Sequence, residues 1–130
     1  MKHYNVVAAV VCHDGKYLCM QKGKTKFEYT SYKWEFPGGK IELGETPQQA
    51  LARELMEEME YLVEVGEELV TVNHEYPDFS ITMTAFLCTP KGDADGFRRR
   101  EHADSKWCSK DELKGLNWAA ADIDVVEGIL

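Results

Sequence analysis

The sequence predicts a mixed fold of the α/β (α+β) class, in which strands and helices share a core. Residues 4–12 are almost continuously apolar and rich in Val, as in a central strand that is covered on both faces. Residues 80–88 form a second strand-like run. Between these runs, Leu51, Leu55 and Met59 recur at the i, i+4, i+8 spacing of an amphipathic helix. Strands and an amphipathic helix therefore alternate along the chain.

The first third of the chain predicts a hairpin and a loop. The strand at 4–12 is followed by turn residues at 13–16, and residues 17–21 return as a second strand. Residues 23–33 form a polar loop that carries lysines and aromatic side chains. Residues 34–36 predict a short strand that enters a pair of glycines.

The part of the chain after the amphipathic helix predicts further strands and a terminal helix. Its elements are strands at 61–75 and 80–88 joined by a turn at 76–78, a charged loop at 91–104, a short strand at 107–108, a helical turn at 110–113 and an amphipathic helix at 119–130. We found no repeats, linkers or low-complexity segments, and we expect one domain spanning residues 1–130.

Composition and charge restrict the functional classes. A chain of 130 residues buries roughly two-thirds of its unfolded surface, enough for a core without disulfides or structural metal. The net charge of −8 comes without a basic patch, so we expect no binding to a nucleic-acid polymer. An acidic protein can still act on a polyanion when a divalent cation lies between them.

The cysteines and the N-terminal segment favour a cytoplasmic protein. Cys12, Cys19, Cys88 and Cys108 have no C-x-x-C spacing, and three of them lie in apolar runs, so we expect reduced, buried thiols. The first residues lack the apolar stretch of a signal peptide, and no segment approaches membrane-spanning length.

The segment after the double glycine predicts a helix with a defined start and an acidic face. Thr46 suits the N-cap, and Pro47 suits the first helical position. Glu54, Glu57 and Glu58 follow at i, i+3, i+4 and therefore share one face within a single turn. Repulsion between like charges at this spacing destabilises a helix by roughly 0.2–0.5 kcal/mol per pair.

Two interpretations of this acidic face are open: a solvated stripe, or ligands for a hard divalent cation. The preceding loop favours the second, because paired glycines such as Gly38 and Gly39 let a backbone approach a ligand closely. Arg53 lies next to Glu54 and can orient Glu45 or another carboxylate through its planar fork.

The same residues resemble the Nudix box, which reads Gly, five residues, Glu, seven residues, Arg-Glu-aliphatic, one residue, Glu-Glu, one residue, Gly. The matching positions are Gly39, Glu45, Arg53, Glu54, Leu55, Glu57 and Glu58. One position departs, because Glu60 replaces the family's last glycine. That glycine supplies a left-handed helix ending, so Glu60 costs about 1 kcal/mol if the conformation is kept.

The resemblance covers nearly the whole chain and is to the MutT-like branch of the family. The further segments that carry it are residues 6–11, 21–22, 34–37, 101–102 and 107–109. Within this branch the chain looks most like enzymes of the CTP pyrophosphohydrolase and 8-oxo-dGTP diphosphatase type. The resemblance implies a Nudix-type α/β/α sandwich with a mixed central sheet.

The resemblance also implies a divalent metal, Mg²⁺ with Mn²⁺ as an alternative. The expected ligands are the Gly39 carbonyl and the carboxylates of Glu54, Glu57, Glu58 and Glu101. The expected catalytic residues are Glu54, Glu57, Arg53 and Glu101. Glu101 completes coordination or accepts a proton from the attacking water, unless it is only a solvated charge beside three arginines.

Substrate-binding candidates lie outside the box. Lys22 and Lys40 either contact phosphates or are exposed lysines. Phe36 either encloses the base or belongs to the core. Asp122 either reads a base edge with adjacent N–H donors, as in cytosine or oxidised guanine, or caps the terminal helix.

The resemblance therefore predicts Mg²⁺-dependent hydrolysis of nucleoside triphosphates to monophosphate and pyrophosphate, which removes damaged or excess nucleotides. One alternative is a Nudix hydrolase of ADP-ribose or dinucleoside polyphosphates. Another is a non-catalytic base-recognition module, which the intact acidic box disfavours. The expected partner is a small nucleotide, without a membrane, and the protein is a monomer or a homodimer.

Overall fold

The structure, a computed structural model, describes all residues, 1–130, and contains seven strands and three helices. In chain order they are β1 (Lys2–His13), β2 (Lys16–Lys22), β3 (Trp34–Glu35), β4 (Gly38–Lys40), α1 (Pro47–Met59), β5 (Val63–Glu75), β6 (Phe79–Pro90), β7 (His102–Cys108), α2 (Lys110–Leu113) and α3 (Ala120–Ile129). No helix is both long enough and apolar enough to cross a membrane.

The strands form one mixed sheet, as predicted. Its main path has the order β3-β2-β1-β6-β5, while β4 pairs with β1 and β7 pairs with β2. The central strands β1 and β6 are parallel, in register from Lys2 opposite Phe79 to Val11 opposite Cys88. All other strand pairs are antiparallel.

Helices cover both faces of this sheet. Successive side chains of β1 point to opposite sides, so this strand contributes to a core cluster on each face. Val7, Ala9 and Val11 pack in a core cluster with the buried face of α1. Ala8 and Val10 pack in a second cluster that contains the buried side chains of α3. The predicted α/β/α layering is therefore confirmed, and it explains why β1 is apolar on both faces.

The sheet opens between β1 and β2, and this opening creates the space for a site. The two strands pair only beside their turn, at Cys12 opposite Tyr17 and His13 opposite Lys16. Farther from the turn, β1 pairs instead with β4, and β2 pairs with β3. The start of β1 and the end of β2 consequently lie on opposite sides of a gap.

Helix α1 begins as the sequence predicts, and it ends at Glu60, the position of the family's glycine. The Thr46 side chain accepts from the backbone N–H of Gln49, the Gln49 side chain accepts from the N–H of Thr46, and Pro47 opens the helix. Glu60 ends it with φ 49° and ψ 42°, and Tyr61 N–H donates to Leu55 O at 3.3 Å. Glu60 therefore keeps the left-handed conformation that a glycine would adopt without strain.

Two elements differ from the sequence prediction. Strand β7 begins at His102, so the predicted loop at 91–104 is shorter and the predicted strand at 107–108 is longer. The double glycine is not only a loop, because Gly38–Lys40 pairs with β1. Glycine lacks the side chain on which strand patterns depend, which is why β4 was missed.

Candidate active site

A cavity of about 1000 Å³ occupies the gap between β1 and β2. It is bordered by the ends of β2, β3 and β4, the last turn of α1, the start of β7 and the first turn of α3. Seven of the ten predicted site residues line it: Lys22, Phe36, Gly39, Lys40, Glu58, Glu101 and Asp122. The other three, Arg53, Glu54 and Glu57, are not part of this lining.

Arg53 is the centre of a hydrogen-bond network behind the cavity wall. Its Nε and Nη2 donate to the two oxygens of Glu45 at 2.6 and 2.8 Å. Its Nη1 donates to Glu54 at 3.0 Å and to Glu57 at 3.2 Å. Nη2 also donates to the Lys40 carbonyl at 3.0 Å, so the guanidinium ties α1 to the loop and to β4. The box arginine thus fixes three carboxylates in direction.

Glu45 is held as a carboxylate by this network. The hydrogen bonds from Arg53, followed by the backbone N–H of Glu42 at 2.8 Å, lower the pKa of Glu45 to about 2. The same contacts raise the pKa of Arg53 further above its ordinary value. This pair remains ionised across the physiological pH range.

The two glycines of β4 allow close contacts that a side chain would block. A Cβ at Gly38 would overlap the carbonyl of Val7 on β1. A Cβ at Gly39 would overlap the carboxylate of Glu54 on α1. Glycine at these positions therefore lets β4 lie between β1 and the acidic face of the helix.

Acidic side chains concentrate at the α1 end of the cavity. Burial, and then the neighbouring carboxylates of Glu54, Glu101 and Glu35, raise the pKa of Glu58 to about 8. Glu57 is 61% exposed and points to Arg53 instead. No group of three or more His, Cys, Asp or Glu side chains is arranged as a metal site. The carboxylates are thus close together but not converged on one point.

Asp122 lines the cavity from the first turn of α3, and it does not cap that helix. The N-cap position is Ala119, which forms no side-chain cap, and Asp122 is buried within the first turn. Its Oδ1 accepts from the backbone N–H of Phe36 at 3.0 Å. Burial, and then the charge of Glu35, raise the pKa of Asp122 to about 8. The capping alternative is therefore wrong.

The Phe36 ring belongs to the core and also borders the cavity. It is buried and stacks on Trp118 with ring centroids 4.8 Å apart. Phe27, from the loop after β2, also lines the cavity and stacks on Tyr29 at 5.1 Å. Aromatic side chains therefore enclose the Asp122 end from more than one side.

Both predicted lysines face the cavity. The Lys22 Nζ lies 3.5 Å from a carboxylate oxygen of Glu35. The Lys40 Nζ lies 4.1 Å from the ring centroid of Tyr4, a cation–π distance. Each ammonium is therefore already stabilised by a protein group, and each remains in the cavity lining.

A pair between Glu35 and His102 was not predicted as part of the site. The Nε2 of His102 lies 3.0 Å from Glu35 Oε2, a distance at which the Nε2–H tautomer donates to the carboxylate. The His102 side chain is 4% exposed, and its Nδ1 has no hydrogen-bond partner. The pairing of Lys22 with His102 between β2 and β7 brings these residues together. No local sequence pattern encodes that register.

The comparison with known proteins agrees with this architecture. The NUDIX domain family matches residues 1–127. An 8-oxo-dGTP diphosphatase of Proteus vulgaris is 41% identical over 90 residues, which cover 68% of this chain and 78% of that protein. The CTP pyrophosphohydrolase of Escherichia coli K12 is 35% identical over 131 residues, covering 100% of this chain and 93% of that protein.

A solved structure of a MutT protein also resembles this chain. A MutT protein of methicillin-resistant Staphylococcus aureus 252 superposes with a TM-score of 0.75 at 39% identity, covering 99% of this chain and 97% of that one. Fold, box residues and relatives agree with one another. The chain belongs to the Nudix hydrolase family, with MutT-like relatives that are named as diphosphatases or pyrophosphohydrolases.

Proposed function

We propose that this Nudix hydrolase cleaves a nucleoside triphosphate, CTP- or dCTP-like or an oxidised dGTP, to the monophosphate and pyrophosphate. The observation that supports this proposal is the polarity of the cavity. Carboxylates gather at its α1 end, and a buried, directed Asp122 lies with aromatic rings at its α3 end. A phosphate chain with its cation suits the first end, and a base suits the second.

Members of the family use divalent metal ions, and the oxygen donors here suit such an ion. The residues that would hold Mg²⁺, or Mn²⁺, are the Gly39 carbonyl and the carboxylates of Glu54, Glu57, Glu58 and Glu101. Burial, and then the neighbouring carboxylates, raise the pKa of Glu58, and a cation bound among these carboxylates would offset both effects. When bound, the ion polarises a water molecule and neutralises phosphate charge.

The side chains around these donors have separate tasks in this proposal. Arg53 orients Glu54 and Glu57 through the hydrogen bonds of one guanidinium. Glu101, in the cavity lining, accepts a proton from the attacking water. Lys22 and Lys40 contact phosphate oxygens. To do so, each ammonium group would leave its present contact within the protein.

Recognition of the base is assigned to Asp122. Because Oδ1 already accepts from Phe36, the direction of the carboxyl group is fixed before any ligand binds. The other oxygen is then available for the exocyclic amine of cytosine or of an oxidised guanine, and this N–H donor would favour the ionised form that the burial of Asp122 disfavours. Phe36 and Phe27 enclose the base with apolar surface.

A panel of nucleotides tests this proposal. Pyrophosphate and phosphate release are measured for CTP, dCTP, 5-methyl-dCTP, 8-oxo-dGTP, dGTP, ADP-ribose and a dinucleoside polyphosphate, with Mg²⁺, with Mn²⁺ and with chelator. We expect pyrophosphate from one triphosphate and none with chelator. Activity confined to ADP-ribose or the dinucleotide would contradict the substrate class. No activity together with tight nucleotide binding would indicate a base-recognition module.

A further inference from the structure

Residues 91–101, the segment before β7, form hydrogen bonds with the end of α1 and with the residues that follow this helix. Lys91 N–H donates to the Leu62 carbonyl at 3.0 Å, and Arg98 N–H donates to the Met59 carbonyl at 2.8 Å. The Tyr61 hydroxyl donates to the Ala94 carbonyl at 2.7 Å. This segment is therefore held by backbone bonds at both of its ends.

Glu60 adds a charged anchor at the Glu101 end of this segment. Its Oε2 lies 3.0 Å from Arg98 Nε and 2.8 Å from Arg100 Nη2, so one carboxylate oxygen bridges two guanidinium groups. Both arginines belong to the segment, and Arg100 directly precedes Glu101. On the other side of the anchor, Glu58 is two residues from Glu60.

The Nudix pattern has glycine at this position, whereas this chain has Glu60. Glu60 keeps the left-handed conformation at φ 49°, which a glycine would adopt without strain. The strained residue therefore forms two ion pairs that glycine cannot form. Only 40% of the Glu60 side chain is exposed, because the arginines cover it.

We infer that Glu60 is a positioning residue that holds residues 91–101 so that Glu101 faces Glu58 across the cavity. Both carboxylates line the cavity, one at the last turn of α1 and the other just before β7. Without the anchor, Arg100 is free to move, and Glu101 moves with it. The catalytic consequence of this inference depends on the proposed hydrolase function, whereas its structural consequence does not.

The variant Glu60→Gly restores the family residue and separates the two consequences. Removal of backbone strain keeps or raises the melting temperature, while loss of the anchor loosens the segment. Exposed ion pairs are individually weak, so we expect the loss of both to increase the rate of amide hydrogen exchange across residues 91–101 by about fivefold. We expect kcat to fall by about the same factor with KM for the nucleotide unchanged.

A second variant, Arg98→Ala combined with Arg100→Ala, removes the same ion pairs from the other side. The control is Glu64→Gln, which neutralises an exposed glutamate of β5 that forms no ion pair. The arginine variant should reproduce the Glu60→Gly exchange and kcat values, and Glu64→Gln should match the wild type. Restoration of slow exchange by Glu60→Arg combined with Arg98→Glu and Arg100→Glu would support the anchor.

Unchanged exchange and unchanged kcat in Glu60→Gly would overturn the inference and leave Glu60 as a tolerated replacement. A lower kcat with unchanged exchange would also overturn it, because the segment would then not be what moves. Hydrogen exchange requires no turnover. A wild-type protein that hydrolyses no nucleotide would therefore contradict the proposed function while the exchange experiment still tests the anchor.

Discussion

Arg53 and Glu45 form a two-point ion pair in which Nε and Nη2 donate to separate carboxylate oxygens at 2.6 and 2.8 Å. They are eight positions apart in sequence, so the pair connects the loop before α1 with the middle of the helix. The remaining nitrogen, Nη1, donates to Glu54 and Glu57. One guanidinium therefore sets the direction of two of the carboxylates that we assign to metal binding, those of Glu54 and Glu57.

The pH dependence of stability should report this ion pair. Folding lowers the pKa of Glu45 from 4.5 to about 2, so the stabilisation is complete above pH 4.5 and is lost as the pH falls toward 2. We expect Glu45→Gln to reduce the free energy of unfolding at pH 7 and to approach the wild type at pH 3. Urea denaturation at several pH values measures this.

The control for that series is Glu67→Gln, which neutralises an exposed glutamate without an ion pair. It should leave the pH dependence of stability unchanged. A constant difference between Glu45→Gln and the wild type from pH 7 to pH 3 would contradict the assignment.

Arg53→Lys should impair catalysis more than folding. A lysine keeps the charge but cannot donate to both Glu45 oxygens and to Glu54 and Glu57 from one rigid plane. We expect kcat to fall by about 10- to 100-fold, as for residues that orient metal ligands. The matched control is Arg99→Lys, because Arg99 pairs with Asp104 outside the box. Equal losses in both variants would argue against an orienting role.

Glu58→Gln should stabilise the metal-free protein at alkaline pH, whereas Glu57→Gln should not. Because folding raises the pKa of Glu58 from 4.5 to about 8, ionisation of this residue lowers the stability of the folded protein as the pH rises between these values. A neutral glutamine at position 58 should therefore raise the melting temperature at pH 8 without cation, whereas exposed Glu57 should change it little. Scanning calorimetry checks this.

Both variants should lose Mn²⁺ affinity and turnover, because each removes an oxygen donor of the proposed site. Titration calorimetry with Mn²⁺ measures the first effect without any nucleotide. Normal turnover in Glu57→Gln with an unchanged melting curve would contradict the metal assignment.

Asp122→Ala should change the preference between bases more than the rate on a poor substrate. The Asp122 carboxyl group both holds the Phe36 N–H and offers an oxygen to the base, so we expect about tenfold loss of kcat/KM for the preferred nucleotide. Asp122→Asn keeps an acceptor for Phe36 and serves as the matched variant. An equal loss across all nucleotides in Asp122→Ala, with normal turnover and normal preference in Asp122→Asn, would reduce Asp122 to a support for Phe36.

The acidic box and the start of α1 could be predicted from the sequence because their signals are local. Thr46, Pro47 and the spacing of the three glutamates all lie within a few turns, where side-chain type and helical period determine the geometry. The central strand was predictable for the same reason, since burial on both faces requires a continuous apolar run.

The Glu35–His102 pair and the start of β7 could not be predicted in this way. Their geometry depends on the register between β2 and β7, and residues 35 and 102 are 67 positions apart. The β7 sequence is also mostly polar, and Cys108 is its one buried residue, so the segment resembles a loop. Likewise, the contacts of Glu60 depend on a segment that begins about thirty residues later.

In the proposed reaction, the box carboxylates support hydrolysis of the triphosphate to monophosphate and pyrophosphate. Phosphorus NMR of the preferred triphosphate, with Mg²⁺ and with wild type or Glu57→Gln, identifies the products. We expect resonances of the monophosphate and pyrophosphate in the wild-type reaction, and only triphosphate with chelator or with Glu57→Gln. Formation of a diphosphate with orthophosphate, or product formation that persists in chelator, would contradict the account.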